Sequence, residues 1–392
     1  MNPTTEMIPS LVIRIQEKFE QLYGAGDTLT VRSPGRVNLI GEHTDYNNGF
    51  VLPAAIDKAI YMVVRPRKDQ QVKLFSFDLN QAFAGSVEAL EPSGLHWPDY
   101  ILGVVQQLRI LGHDVGGFDL VFGGDIPLGA GMSSSAALEC ATAFALNEVF
   151  GLGLDRLTMV KVSQKAENVF VGLQCGIMDM FASMFGRKDH VIRLDCQSLA
   201  YTYHPFKTDG IRIVLLDTQV KHSLASSEYN TRRQQCEAGV ELVRRHRPGV
   251  NSLRDVDAEM LSAFVKPVDE LIYRRCSYVV EENVRLLAAT EDLERGDIAA
   301  FGGRLYGSHE GLSKKYEVSC AELDFLVEQV RERDGVLGAR MMGGGFGGCT
   351  INLVREDAIE ALITWLTPIY RKAMGKELKA YMGQIENGTS VL

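Results

Sequence analysis

Apolar positions recur at helical spacing over residues 8–23, which predicts an amphipathic helix closed by Gly24 and Gly26. Leu29–Val31 and Val37–Ile40 read as short strands flanking the segment SPGR, and a polar loop, GEHTDYNNG, follows. Val51–Val64 is apolar and partly β-branched, and Val72–Phe77 alternates, so both read as strands. Pro98–Leu111 reads as a helix. Phe118–Phe122 reads as a strand that feeds a glycine-rich loop, and an Ala/Leu-rich helix then runs to Phe150 with Gly151 just beyond it. Further on, Leu157–Val171 has helical spacing, and the loop GLQCGI leads to a short apolar segment, Met178–Phe185. Val191–Leu194 and Ile211–Leu216 read as strands, and the second half is mostly helical, most clearly at Asn230–His246, Leu271–Thr290 and Glu322–Arg333. A second glycine-rich loop, within ARMMGGGFGGCTINLV, runs into a strand, followed by a helix over Asp357–Lys372, bent or interrupted at Pro368, and the segment Leu378–Tyr381. No internal repeat or low-complexity linker is found. The shift towards helix puts a domain boundary near 200–210, dividing the chain into 1–205 and 206–392.

A chain of 392 residues can bury a large core, and two domains are expected. Hydrophobic content of 46% and charged content of 23% are those of a soluble globular protein. The net charge of −9 gives no reason to expect nucleic acid or an anionic membrane as partner, though a local loop and a metal ion can still attract a nucleotide. The seven cysteines are scattered and form no CxxC pair, which argues against a zinc site or a disulfide framework and for a reducing cytoplasm. The amino terminus lacks a basic, then apolar, leader pattern, so no signal peptide is expected, and no run approaches the roughly 20 apolar residues of a membrane span.

Three loops carry candidate chemistry. In GRVNLIGEHTDYNNG, Glu42, His43 and Asp45 fall within four residues. Metal ligation is one reading, although the metalloprotease spacing is absent; a solvated connection is another. Carboxylates and imidazole on one short loop also suit several hydroxyls at once, as a sugar requires. In PLGAGMSSSAAL, glycines permit close backbone approach and the helix start offers unpaired N–H groups, a phosphate cradle; the alternative is a tight loop with a serine cap. The loop lacks the GK[ST] ending of P-loop NTPases, so backbone N–H groups, serine hydroxyls and a metal would have to neutralise the phosphates. The third loop, GGGFGG (343–348), is either a flexible hairpin turn or a close approach to backbone or phosphate.

Together these loops resemble the galactokinase branch of the family that also holds homoserine, mevalonate and phosphomevalonate kinases. GRVNLIGEHTDYNNGFVLP is similar to the galactokinase signature, PLGAGMSSSAAL to the family's phosphate loop, and MMGGGFGGC to its third motif. CGIMD (175–179) and SEYNTRRQQCE (227–237) are further galactokinase-like segments, and the likeness covers nearly the whole chain in order. Departures are small: Met180 stands where galactokinases usually carry glutamine, and Leu128 and Met132 are hydrophobic variants in the phosphate loop.

The resemblance implies an α+β, two-domain fold, ribosomal-S5-like then ferredoxin-like, with the active site between the domains. It implies transfer of the ATP γ-phosphoryl to the C1 hydroxyl of galactose. Asp179 matches the catalytic carboxylate and Arg36 the arginine beside the transferring group; a helix-capping aspartate and a structural ion pair are the alternatives. Glu42, His43, Thr44, Asp45, Gly176 and Tyr229 match sugar contacts, though Tyr229 also suits a core. Gly129, Ala130, Gly131, Met132, Ser133, Ser134 and Ser135 would wrap the triphosphate, with Ser76 near the nucleotide. Ser135 and Glu167 match Mg²⁺ ligands, although Glu167 also suits a charged helix face. No obligate protein partner is implied. A kinase for N-acetylgalactosamine or arabinose, or a non-catalytic galactose- and ATP-binding regulator, would share much of this pattern.

Overall fold

The computed structural model describes residues 10–127, 129–206, 210–220 and 225–392; residues 8 and 9 of the expected first helix, and Leu128, lie outside them. The first half contributes strands β1 (Leu29–Asn38), β2 (Phe50–Val51), β3 (Pro53–Pro66), β4 (Gln71–Ser76), β5 (Gln81–Ser86), β6 (Phe118–Gly124), β7 (His190–Asp195) and β8 (Tyr201–Pro205). The second half contributes β9 (Ile211–Asp217), β10 (Val336–Met341), β11 (Cys349–Arg355), β12 (Lys379–Gly383) and β13 (Ser390–Val391).

The apolar run at 51–64 becomes β3, a strand buried on both faces. Ala59, Tyr61 and Val63 face the Ser10–Tyr23 helix, meeting Val12, Ile15 and Phe19. Ile60, Met62 and Val64 belong to the main core on the other face. This strand centres a six-stranded sheet of order β13-β1-β3-β6-β4-β5, in which β4 and β6 pair in parallel. The Ser134–Phe150 helix packs on β1 and β3 and is covered in turn by the helices Trp97–Ile110, Arg156–Ala166 and Met178–Phe185. Being enclosed on every side, it is apolar nearly all round, and it ends at Gly151 in the left-handed region (φ 62).

SPGR does not separate two short strands. β1 runs straight through it with a bulge between Pro34 and Arg36, where the pairing to β3 shifts register. A side chain at Gly35 would come within 2.6 Å of the Met132 carbonyl, and that carbonyl instead accepts from the Arg36 N–H at 3.1 Å. The bulge therefore seats the phosphate-type loop against β1 and turns Arg36 towards it.

The second half forms an antiparallel sheet of order β10-β11-β9-β12. Val214, Leu216, Ala339 and Val354 on one face pack on the helices Ala321–Val330 and Ile359–Met374. Ile213, Leu215, Ile351 and Leu353 on the other join the main core. The last helix runs on through Pro368 to Met374, because Leu362, Leu366 and Tyr370 are all buried against the sheet. Ile298–Glu310 is a helix with no clear signal in the sequence. Its glycines disfavour helix, but Gly302 lies directly on the Leu337 carbonyl of β10, where a Cβ would be 2.1 Å away. Strands β5 and β8 carry no clear signal in the sequence, both being short and lying mostly at the surface. The chain then returns: β13 pairs with β1, and Thr389 Oγ1 lies 2.9 Å from Ser33 Oγ. No described helix is long and apolar enough to cross a membrane.

The halves are joined by Arg340, wholly buried at the end of β10. Its Nε donates to the Leu39 carbonyl at 2.7 Å, Nη2 to the Asn38 carbonyl, and Nη1 to Glu42 Oε2 at 2.7 Å. Removing one partner of a buried ion pair strands the other charge, at ~3–5 kcal/mol. We expect Arg340→Leu to lower unfolding free energy by about that amount in urea titrations, and Glu42→Gln added to it to recover part of the loss.

Candidate active site

The three polar loops, distant in sequence, surround one cavity of about 310 Å³. Arg36, Glu42, His43 and Asp45 line it from the first loop, Gly129 and Gly131–Ser135 from the second, and Gly343–Gly345 from the third. Glu167, Cys175, Gly176, Asp179 and Tyr229 complete the wall. A second cavity, about 490 Å³, shares Ser134 and Ser135 with the first and is bounded by Ser76, Asp78, Trp97, Tyr100, Phe122 and Leu138. Ser76 is thus at the second cavity. Ala130 is buried beneath its loop and lines neither.

Arg36 and Asp179 meet as a two-pronged ion pair, Nε–Oδ1 2.7 Å and Nη2–Oδ2 2.8 Å. The third guanidinium nitrogen donates to the Gly131 carbonyl at 2.5 Å. Burial opposes the charge on Arg36, but Asp179, Glu42 and Asp45 together hold its pKa above the ordinary arginine value. Ser133 is left-handed (φ 55) and does not cap the helix that follows; its hydroxyl donates to Asp179 Oδ2 instead. The first N–H groups of that helix therefore lack a side-chain acceptor from Ser133 at the cavity edge, which suits an anion.

The first loop is buried rather than solvated. Glu42, His43, Thr44 and Asp45 are each less than a tenth exposed. Thr44 turns away from the cavity, its hydroxyl donating to the Gly41 and Phe50 carbonyls at 2.8 and 2.5 Å, so it shapes the loop from within. Burial and the nearby Asp179 and Glu42 push Asp45 up to about 7. Its carboxylate rests on Gly176, where a Cβ would lie 1.8 Å from Oδ2. His43 (φ 61) engages both ring nitrogens, Nδ1 with Tyr46 Oη at 2.7 Å and Nε2 with the Gly344 carbonyl at 3.2 Å. Burial, with Arg232 and Arg340 nearby, lowers its pKa to about 3, so it is neutral. Tyr229 is half-buried, its ring 5.3 Å from that of His43.

Glu167 opens a five-residue π-helical turn, a distortion that often marks a functional position. Burial and Asp179 raise it to about 7, against the pull of the Cys175 thiol and the Ser135 hydroxyl. Glu139, one helical turn beyond Ser135, is fully buried with neither carboxylate oxygen hydrogen-bonded, and burial with Glu167 and Asp179 pushes its pKa well up. This accumulation of acidity fits a hard divalent cation, for which Ser135 and Glu167 could supply oxygen donors. Among the described residues no group of three or more His, Cys, Asp or Glu is arranged to hold a metal, so other positions would fall to phosphate oxygens and water. Met180 is buried in the main core and does not line the cavity. The sequence reading missed Glu139, although it is the one acidic residue among the apolar positions 136–146, and Trp97 and Tyr100, which share a helix face at i, i+3.

Two predictions follow from the first loop. A histidine whose pKa falls from 6.5 to about 3 on folding contributes stability that is complete above pH 6.5. That contribution is lost as pH falls towards 3, at ~1.4 kcal/mol per pH unit. Asp45 and Glu167, both raised, work in the opposite sense, losing stability as pH rises through about 7. His43→Asn should therefore remove the histidine's share alone, making the slope of unfolding free energy against pH less positive by up to ~1.4 kcal/mol per unit between pH 6.5 and 4, as measured by urea titration at each pH. Gly176→Ala should leave the melting temperature within a few degrees of the parent and abolish saturable sugar binding in calorimetry, because the new methyl displaces Asp45.

The first loop and its surroundings match a family model described as the galactokinase galactose-binding signature, over residues 17–66. The GHMP kinases N terminal domain matches residues 99–187 and the GHMP kinases C terminal domain residues 289–366. A galactokinase from a Roseiflexus species is 41% identical over 374 residues, 95% of each chain. Another, from Thermotoga neapolitana, is 42% identical over 363 residues, 93% of this chain and 99% of its own. The crystal structure of Lactococcus lactis galactokinase complexed with galactose superimposes with a TM-score of 0.94 at 35% identity, covering 98% of this chain and all of that one. With fold and sequence agreeing over nearly the whole chain, the chain belongs to the galactokinases of the GHMP kinase family.

Proposed function

We infer that the protein transfers the γ-phosphoryl group of MgATP to the C1 hydroxyl of galactose. The observation that carries this reading is the Arg36–Asp179–Ser133 cluster, set where the buried sugar-type loop meets the start of a helix. Phosphoryl transfer depends mainly on positioning and on stabilising charge. Asp45 and Glu42 accept sugar hydroxyls, Glu42 being steadied by Arg340, and Gly176 leaves the room that Asp45 occupies. Asp179 orients the C1 hydroxyl and accepts its proton, while Arg36, ion-paired with that carboxylate, stands ready for charge developing on the phosphoryl oxygens.

The triphosphate lies over Gly129–Ser135, where backbone N–H groups and serine hydroxyls stand in for the absent P-loop lysine. The nucleoside end occupies the second cavity, against Trp97, Tyr100 and Phe122, with Ser76 at its edge. Mg²⁺ bound by Ser135 and Glu167 would neutralise phosphate charge. All seven cysteines are free thiols, and we place the enzyme in the cytoplasm.

Asp179→Asn keeps the shape and removes the base. We expect kcat for galactose 1-phosphate formation, followed by phosphorus NMR, to drop ~10²–10⁴-fold with galactose affinity little changed. Unimpaired turnover in that variant would refute the role of Asp179. Greater kcat/KM for N-acetylgalactosamine or arabinose than for galactose would refute the substrate.

A further inference from the structure

A line of hydrogen bonds runs from the second half of the chain through the sugar-type loop to the third glycine loop. Cys236 Sγ lies 3.3 Å from Tyr316 Oη, Tyr316 Oη 2.8 Å from Tyr46 Oη, Tyr46 Oη 2.7 Å from His43 Nδ1, and His43 Nε2 3.2 Å from the Gly344 carbonyl. The direction of every bond follows from its last member. A carbonyl oxygen only accepts, so Nε2 carries the hydrogen; a neutral imidazole must then accept at Nδ1. Tyr46 consequently donates to His43, Tyr316 to Tyr46, and Cys236 to Tyr316. Rings of Tyr46, Tyr229 and Tyr316 lie 5.8, 5.3 and 5.1 Å from the imidazole and leave it little room to turn.

With both nitrogens engaged, the His43 ring has none to offer a sugar hydroxyl. Its attachment is to a loop that borders the phosphate cradle. Gly343, Gly345, Gly347 and Gly348 all have positive φ, so the backbone here is held by few steric preferences of its own. The bond from His43 fixes the peptide plane between Gly344 and Gly345, both of which line the cavity. Gly343 in turn sits on Gly131, where a Cβ would be 3.6 Å from the Gly131 Cα, and the Gly131 carbonyl accepts from Arg36.

We propose that His43 is a positioning residue which, oriented by Tyr46 and Tyr316, ties the sugar loop to the Gly343–Gly348 loop and so couples sugar binding to nucleotide binding. The inference rests on the functional reading above, in which the first loop meets sugar and the Gly129–Ser135 loop, against which Gly343 sits, meets triphosphate. Ordering of either side by its ligand then lowers the cost of ordering the other, and the coupling is reciprocal.

The test is a pair of calorimetric titrations with galactose, one without nucleotide and one with a saturating non-hydrolysable MgATP analogue. In the parent protein the analogue should tighten galactose binding about fivefold or more. Asn tolerates the left-handed backbone at position 43, but its amide is too short to reach the Gly344 carbonyl. His43→Asn should bring the ratio of the two dissociation constants to within about twofold of one. Tyr46→Phe, which keeps the imidazole and deletes the donor that orients it, should reduce the ratio at least by half, and it decides the matter if His43→Asn does not fold. A purely structural role would shift both dissociation constants together and leave their ratio unchanged. An unchanged ratio in Tyr46→Phe, or no coupling in the parent, overturns the inference while leaving the kinase reading intact. Failure of the parent to bind galactose at all overturns the kinase reading and this inference with it.

Discussion

The buried pair of Arg340 and Glu42 is the contact on which the cavity depends. A single guanidinium from the carboxy-terminal sheet holds the carbonyls of Asn38 and Leu39, where β1 ends, and the carboxylate of Glu42 on the loop that follows. Each charge alone would cost several kcal/mol to bury, and paired in this way they remain out of water. The consequence is geometric: the loop carrying Glu42, His43 and Asp45 cannot move independently of β10. The last residues reinforce this by returning to the first sheet, where β13 pairs with β1. The two halves share a main core, to which both sheets contribute.

Around that joint the molecule concentrates features that are unfavourable in isolation. Each of the three loops holds at least one non-glycine residue in the left-handed region: His43 and Asn48 in the first, Ser133 in the second and Phe346 in the third. Three carboxylates, Glu139, Glu167 and Asp179, repel one another near a single ion-paired arginine. A cation and hydrogen-bonding hydroxyls would relieve such an arrangement, as is common where a site is built to bind rather than to pack. The bulge at Pro34–Arg36 has the same character, since it breaks the β1–β3 ladder and aims a guanidinium into the cavity.

Much of the fold was legible in local pattern. The helices at 10–23, 97–110, 134–150 and 270–294 and the strands β3, β4, β6 and β9 each carry a strong periodic or apolar signal. Elements that failed to announce themselves were those decided by neighbours. The glycines of Ile298–Glu310 argue against helix until β10 is packed on Gly302. Pro368 reads as a break until three residues around it are seen buried on a sheet. SPGR reads as a gap between two short strands until the Met132 carbonyl occupies the space that Gly35 leaves open.

The candidate site divides along the same line. By itself, the sequence determined the chemical inventory and its grouping into three glycine-rich or acidic loops, because glycine, serine and carboxylate at close spacing restrict what a short stretch can bind. It also carried the family resemblance that put Asp179 beside Arg36. Only the tertiary structure decided what each group faces. It turned Thr44 inward, sank Ala130, set Ser76 in a separate cavity with Trp97 and Tyr100, and brought Glu139 unpartnered beside the acidic pair. It also gave both nitrogens of His43 to protein partners. The reason is physical: a residue's type sets which bonds it can make, whereas burial and direction, which set its charge and its partners, depend on chain segments more than 300 residues away.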